Sequence, residues 1–96
     1  MKQNQYRRRE NLCIIGLTEN EEENCFDILK SLCMAMSITL EKSDVVACHR
    51  VGPEKRGKSR PLIARFASRD LKVQIRMGKK LLKGNTSYDK VFINED

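Results

Sequence analysis

The residues with the clearest capacity for chemistry are two clusters of basic side chains. One is the run Arg7, Arg8 and Arg9, and the other is the segment 55–60, which contains Lys55, Arg56, Lys58 and Arg60 around a glycine. Arginine forks pair bidentately with phosphate groups, and lysine supplies a compact positive charge. Two such clusters in a chain of 96 residues indicate a polyanionic ligand.

The distribution of charge along the chain favours the same interpretation. Residues 1–48 carry six Lys/Arg against eight Asp/Glu, whereas residues 49–96 carry thirteen against five. The net charge of +6 therefore arises in the second half of the chain, a bias typical of nucleic-acid-binding domains. The alternative is a solvated, lysine-rich surface that binds no polyanion.

Catalytic and metal-binding patterns are weak, so we expect neither an enzyme nor a cofactor. The single histidine, His49, follows Cys48, but no second pair completes a set of metal ligands. The glycines are isolated, which argues against a phosphate-cradling loop. The four cysteines lack CxxC spacing, and we interpret them as reduced, mostly buried thiols of a cytosolic or nuclear protein. No signal peptide or membrane span is predicted, so we expect neither a membrane nor a small-molecule substrate as partner.

Hydrophobic spacing predicts the elements that position these residues. Strands are predicted at 12–17, 44–51, 60–66 and 91–93, with helices from a cap at Thr18 or Asn20 to about Met36 and from Ser68 to Gly84. The order β-α-β-β-α-β predicts an α+β, ferredoxin-like split βαβ domain over residues 11–96. Two helices would cover one face of a four-stranded antiparallel sheet. Residues 1–10 would form a basic N-terminal arm or the end of a preceding helix.

The third predicted strand organises the core. Alternation puts Leu62, Ala64 and Phe66 on one face, and Pro61, Ile63 and Arg65 on the other. The predicted core consists of Leu12, Ile14, Phe26, Leu29, Leu32, Leu62, Ala64, Phe66, Leu71 and Ile75. The acidic run at residues 21–23 is interpreted as favourable electrostatics at the start of the first helix.

This strand order is that of the RNA recognition motif, in which aromatic residues on the two central strands stack on bases. The corresponding positions here hold Cys13, Pro61 and Ile63, and Phe66 is predicted to face the core. We therefore expect base stacking on the sheet to be weak. Binding would rest on phosphate contacts and would be tolerant of sequence and sensitive to salt.

Four segments carry a resemblance to a known family. They are NLCIIGLTE at 11–19, CHRVG at 48–52, RPLIARF at 60–66 and VFINED at 91–96. The first three resemble the blocks N-L-x-I-x-G-[LV]-x-E, A-H-R-x-G and R-P-[IL]-I-[VA]-[KR]-F, and the last resembles the closing strand. The family is the first-open-reading-frame protein of LINE-type non-LTR retrotransposons (transposase 22-like), with the related few-polyhedra proteins of baculoviruses.

The resemblance implies a non-standard RNA recognition motif. Family members coat single-stranded RNA as nucleic-acid chaperones, which implies cytoplasmic ribonucleoprotein particles or a nuclear location. The family's arginines near the domain start match Arg7, Arg8 and Arg9, and its loop residues match Lys55, Arg56, Lys58 and Arg60. We add Arg65 to this predicted site for single-stranded RNA or DNA. In the family a coiled coil, which trimerises some members, and a small C-terminal domain flank this module, so self-association is expected to require such flanking regions.

Two other functions are compatible with the pattern. A protein-interaction or assembly module could use the apolar outer face of the sheet, formed by Cys13, Ile15 and Ile63. An acylphosphatase-type enzyme shares the strand order, but it needs an anion-cradling loop after the first strand. Residues 16–20 include Glu19 and carry no basic residue, so this enzyme is the least favoured reading.

Overall fold

The computed structural model describes residues 10–95, which form four strands and two α-helices. The elements are β1 (Asn11–Ile15), α1 (Cys25–Ala35), β2 (Val45–Arg50), β3 (Leu62–Phe66), α2 (Arg69–Met77) and β4 (Phe92–Glu95). A short 3₁₀ helix, Lys42–Asp44, precedes β2, and a second, Gly78–Leu82, extends α2. The predicted arm residues Arg7, Arg8 and Arg9 lie outside the described residues.

The strands form one antiparallel sheet in the order β2-β3-β1-β4. This topology confirms the predicted ferredoxin-like split βαβ arrangement. Leu12 pairs with Ala64 and Ile14 with Leu62, and all four side chains are fully buried. The two helices pack on this face. No element within residues 10–95 covers the opposite face, which is called here the open face. The register of β2 against β3 shifts between Val45 and Ala47, which is a β-bulge at the edge of the sheet.

The core matches most of the sequence prediction. Eight of the ten predicted residues are buried, while Phe26 and Leu71 are half-buried and pack against the core. The core also contains six further residues: Leu17, Cys33, Met36, Leu40, Leu82 and Val91. Several of these belong to connections, which fold back over the ends of the sheet and close the core there.

The start of α1 differs from the prediction. Asn24, rather than Thr18 or Asn20, is the N-cap, and its side chain accepts a hydrogen bond from the amide of Asp27 at 3.1 Å. The carbonyl of Thr18 instead accepts a hydrogen bond from Arg50 at 3.0 Å. The predicted cap at Thr18 or Asn20 is therefore wrong, because this segment is held against the end of β2.

Close packing explains why glycine occupies the positions directly after β1 and α2. Gly16 directly follows β1 and has a φ of +101°, and a Cβ atom there would lie 3.0 Å from the carbonyl oxygen of Lys90. A Cβ atom at Gly78 would lie 2.9 Å from Met36 Sδ. Glycine is unfavourable in a helix, but at position 78 it permits the close approach of α2 to the end of α1. The predicted cap of α2 is confirmed, because Ser68 Oγ accepts a hydrogen bond from the Leu71 amide at 3.1 Å.

Candidate nucleic-acid interface

A buried arginine joins the β1–α1 loop to the end of β2. Arg50 Nε lies 2.8 Å from Glu23 Oε2, and Nη2 donates to Glu23 Oε1 at 3.1 Å. Nη1 donates to the carbonyls of Leu17 and Arg60, and Nη2 donates to that of Thr18. These five hydrogen bonds use all five donors of the guanidinium. The Arg50 side chain is only 3% exposed. Arg50 is therefore a structural clamp between the two loops.

A second arginine–glutamate pair lies beside the first. Glu19 Oε1 accepts a hydrogen bond from the Arg60 backbone amide at 2.9 Å, and Glu19 Oε2 accepts one from Arg60 Nε at 2.9 Å. The Glu19 amide in turn donates to Ser59 Oγ at 3.0 Å. The base of the β2–β3 loop is thus fixed to the β1–α1 loop through both backbone and side-chain contacts.

The Glu19–Arg60 pair predicts a specific response to acid. Hydrogen bonding to the Arg60 guanidinium lowers the pKa of Glu19 from 4.5 to about 2. Because the folded-state pKa is depressed, the stabilisation is fully present above the unfolded-state pKa and is lost as the pH falls towards about 2. We expect Glu19→Gln to lose less stability than the parent between about pH 5 and about pH 2, as measured by thermal melting at each pH.

Glu22→Gln is the matched control for this experiment. Glu22 is exposed and takes part in no ion pair within residues 10–95. Glu22→Gln removes the same charge as Glu19→Gln but breaks no ion pair, so the Glu22→Gln protein should lose stability in acid as the parent does. Identical pH profiles for Glu19→Gln and the parent would contradict the proposed contribution of the pair.

The tip of the β2–β3 loop presents three cations. The Lys58 amide donates to the Lys55 carbonyl at 3.1 Å, which closes a tight turn with Gly57 at a φ of +76°. Lys55, Arg56 and Lys58 are exposed, and no acidic partner is found for them among residues 10–95. A loop anchored at its base therefore carries unneutralised positive charge at its tip.

The structure divides the predicted site into separate groups. Lys55, Arg56 and Lys58 lie together at the tip, whereas Arg60 lies at the loop base in its ion pair with Glu19. Arg65 lies at the far end of the sheet, opposite Asn11, and its Nε donates to Asn11 Oδ1 at 3.2 Å. The loop and Arg65 therefore occupy opposite ends of the sheet.

The open face is arranged in rows that run across the strands. The row nearest the β2–β3 loop is entirely apolar and is called here the apolar row; it consists of Val51, Pro61, Ile15 and Phe92. The pairing of Ile15 with Phe92 is part of the β1–β4 ladder, and the Val51 amide donates to the Pro61 carbonyl at 2.9 Å. The next row consists of His49, Ile63, Cys13 and Asn94. Cys13, Ile15 and Ile63 thus lie on the open face, as predicted.

Two features of the site were missed by the sequence analysis. The interpretation of the acidic run as helix-end electrostatics is wrong for Glu23, which pairs with Arg50. The available signal was the charge of Arg50 at an inward-facing strand position, two residues after Cys48. Phe92, which is 59% exposed, was also missed, although it alternates with the core-packed Ile93.

The cysteines are less buried than predicted. Cys33 is buried, whereas Cys13, Cys25 and Cys48 are half-buried. Burial raises the pKa of the Cys33 and Cys48 thiols to about 12, so both are protonated and weakly nucleophilic at neutral pH. Within residues 10–95, no group of three or more His, Cys, Asp or Glu side chains is placed to hold a metal ion. No helix in this range has the length and apolar character needed to cross a membrane.

Comparison of the chain with protein-family models and with curated proteins found no match. The resemblance to retrotransposon proteins therefore rests on the four sequence segments described above. The fold itself is shared by domains of many functions, so the function must be inferred from the geometry of the site.

Proposed function

We propose that this domain binds single-stranded nucleic acid, and RNA in particular, through sequence-tolerant phosphate contacts. The observation that carries the proposal is the loop tip, where Lys55, Arg56 and Lys58 are exposed and have no acidic partner among residues 10–95. The proposal also places the chain with the LINE-type first-open-reading-frame proteins and their chaperone activity. No catalytic step is part of it.

Pairing determines which cations are available to phosphate groups. Arg50 pairs with Glu23 and Arg60 pairs with Glu19, so the charge of both arginines is largely neutralised and little of it is available to a phosphate group. We therefore assign both arginines to positioning of the loop. In α2, Lys72 is almost fully buried and pairs with Glu95 at 2.9 Å. The loop tip is the preferred phosphate site because its three exposed cations lie together in one turn, whereas the exposed lysines of the helical layer lie behind the sheet. Arg65 extends the positive surface at the other end of the open face.

The test is a triple substitution of the loop tip, Lys55→Ala, Arg56→Ala and Lys58→Ala. Removing three charged contacts should weaken binding at least about tenfold. It should also lower the magnitude of the salt slope by roughly 2, since each phosphate contact on a single strand contributes about 0.7. Fluorescence anisotropy of labelled oligouridylate across a KCl series measures both quantities.

Lys30→Ala, Lys80→Ala and Lys83→Ala together form the matched control. These lysines are exposed and belong to the helical layer, and their removal changes the net charge by the same amount. The control protein should bind as the parent does, apart from a small general charge effect. Equal weakening by both triple variants would contradict the loop assignment, because it would show that only net charge matters.

The second candidate function is protein interaction through the open face. The exposure of Ile15 (38%) and Phe92 (59%) favours it, because adjacent exposed apolar side chains are typical of interaction surfaces. The same anisotropy assay separates the two functions. If the parent binds oligouridylate no better than a neutral protein at low salt, the interaction module replaces nucleic-acid binding as the proposed function.

A further inference from the structure

We infer that the apolar row is a base-stacking path, with Phe92 as its principal platform. A single strand would cross the sheet perpendicular to the β-strands, from the β2–β3 loop to the β4 edge. This inference rests on the proposed function and adds to it the residues that contact the bases. It also moves the stacking aromatic from the central strands, where the sequence lacks one, to the edge strand β4.

The register of the sheet fixes the geometry of this path. Phe92 pairs with Ile15, and continuing the β1–β3 register places Ile15 opposite Pro61. Pro61 in turn accepts the hydrogen bond from Val51. Neighbouring strands lie about 4.8 Å apart, so Phe92 is about 10 Å from Pro61 and about 14 Å from Val51 along the row.

The Phe92 end of the row combines an aromatic surface with a cation. The side chain is 59% exposed although it belongs to a strand. Lys79 Nζ lies 5.9 Å from the centroid of the Phe92 ring, within the range of a cation–π contact. A base stacked on Phe92 would therefore have an ammonium group close by for its phosphate. Lys90, two residues before Phe92, is also exposed at this end.

The other end of the row opens into a pocket at the base of the β2–β3 loop. Its volume is ≈ 350 Å³, and Val51, Pro53 and Pro61 contribute apolar lining. Lys55 and Lys58 line the same pocket. An apolar surface beside two lysines can contact a base and its phosphate at the same time. Phe92 and Lys79 offer the same arrangement at the opposite end of the row. The two ends are joined by Ile15, so the path has cations at both ends and apolar contacts between them.

The apolar contacts along the row and the lysines at both of its ends favour a nucleic-acid strand over an apolar peptide as the ligand. Every base has a π-face, and stacking on an aromatic side chain contributes to binding with little dependence on sequence. The positive charge at both ends of the row is complementary to a phosphate backbone, whereas it offers nothing to an apolar partner. Base stacking and phosphate pairing then act together while the binding remains sequence-tolerant.

The main test compares Phe92→Leu with Phe92→Tyr on two ligands. The ligands are an oligothymidylate and an abasic oligodeoxynucleotide of the same length. Phe92→Leu keeps an apolar side chain but removes the ring, so it should weaken oligothymidylate binding by about 5- to 150-fold. It should leave abasic binding and the salt slope unchanged. Phe92→Tyr should bind both ligands as the parent does.

A second test uses the absence of tryptophan from the sequence. Phe92→Trp introduces a single tryptophan, and stacking of a base on it should quench its fluorescence when oligothymidylate is added. Met34→Trp is the control, because Met34 is 65% exposed on α1, away from the open face. Its fluorescence should not change on titration, although the protein should still bind.

The outcomes separate this inference from the proposed function. If the parent binds the abasic oligomer and oligothymidylate equally well and Phe92→Leu changes neither, phosphate binding stands and the stacking path is refuted. If the parent binds neither ligand, the proposed function fails and the inference fails with it. An unquenched Phe92→Trp protein that still binds oligothymidylate would also refute stacking at this position.

Discussion

Replacing Phe66 with alanine is expected to lower the free energy of unfolding by ~3–5 kcal/mol. Phe66 is 1% exposed and is among the largest buried side chains of the core, so its removal leaves a cavity that neighbouring residues can fill only in part. Domains of this size are stable by about 5–15 kcal/mol in total. Each kcal/mol corresponds to about 4–8 °C, so the thermal midpoint should fall by at least about 12 °C, as measured by circular dichroism.

Phe92→Ala provides a control with the same change of side chain. Because Phe92 is largely exposed, its truncation should cost much less stability than that of Phe66. Comparing the two variants therefore tests directly which face of the sheet each phenylalanine lies on. Equal losses for the two variants would contradict the assignment of Phe66 to the core face and Phe92 to the open face.

Replacing Arg50 with methionine is expected to cost about as much stability as the loss of Phe66. The substitution leaves the Glu23 carboxylate, whose side chain is 9% exposed, without its cation. It also removes the donors to the carbonyls of Leu17, Thr18 and Arg60. Removing one partner of a buried ion pair typically costs about 3–5 kcal/mol. Urea denaturation measures this loss.

A double-mutant cycle with Glu23→Gln isolates the pairwise contribution. If the two side chains act as a pair, the double variant should be more stable than the sum of the single losses predicts. Arg60→Met is the comparison, since that pair is more exposed, with side-chain exposures of 27% and 19%, and its removal should cost less. Additive losses for Arg50→Met and Glu23→Gln would contradict the clamp.

The fold could be predicted because each strand and helix carries its own periodic pattern. Leu62, Ala64 and Phe66 occupy every second position of one short segment, which predicts a strand with one buried face. Ser68 has the residue type of an N-cap, which predicts the start of α2. The start of α1 could not be predicted in this way. Thr18 has the residue type of a cap, yet its carbonyl is bound by Arg50, which lies 32 residues away in sequence.

The candidate site shows the same limit. Charge and glycine content identified the β2–β3 loop, and Lys55, Arg56 and Lys58 are indeed exposed there. Composition could not reveal that Arg60 binds Glu19, which is 41 residues distant, or that Arg50 binds Glu23. Availability of a cation depends on tertiary contacts, so a count of basic residues overstates the charge that a ligand can use.

The bulge in β2 also bears on how copies of this domain behave when crowded together. A regular edge strand presents a continuous series of amide and carbonyl groups, to which another chain can add as a further strand. The shift between Val45 and Ala47 interrupts that series, and at the opposite edge β4 is only four residues long. Neither edge therefore offers a long regular ladder to a second copy, and crowded copies of this domain are not expected to join edge to edge into a continuous sheet.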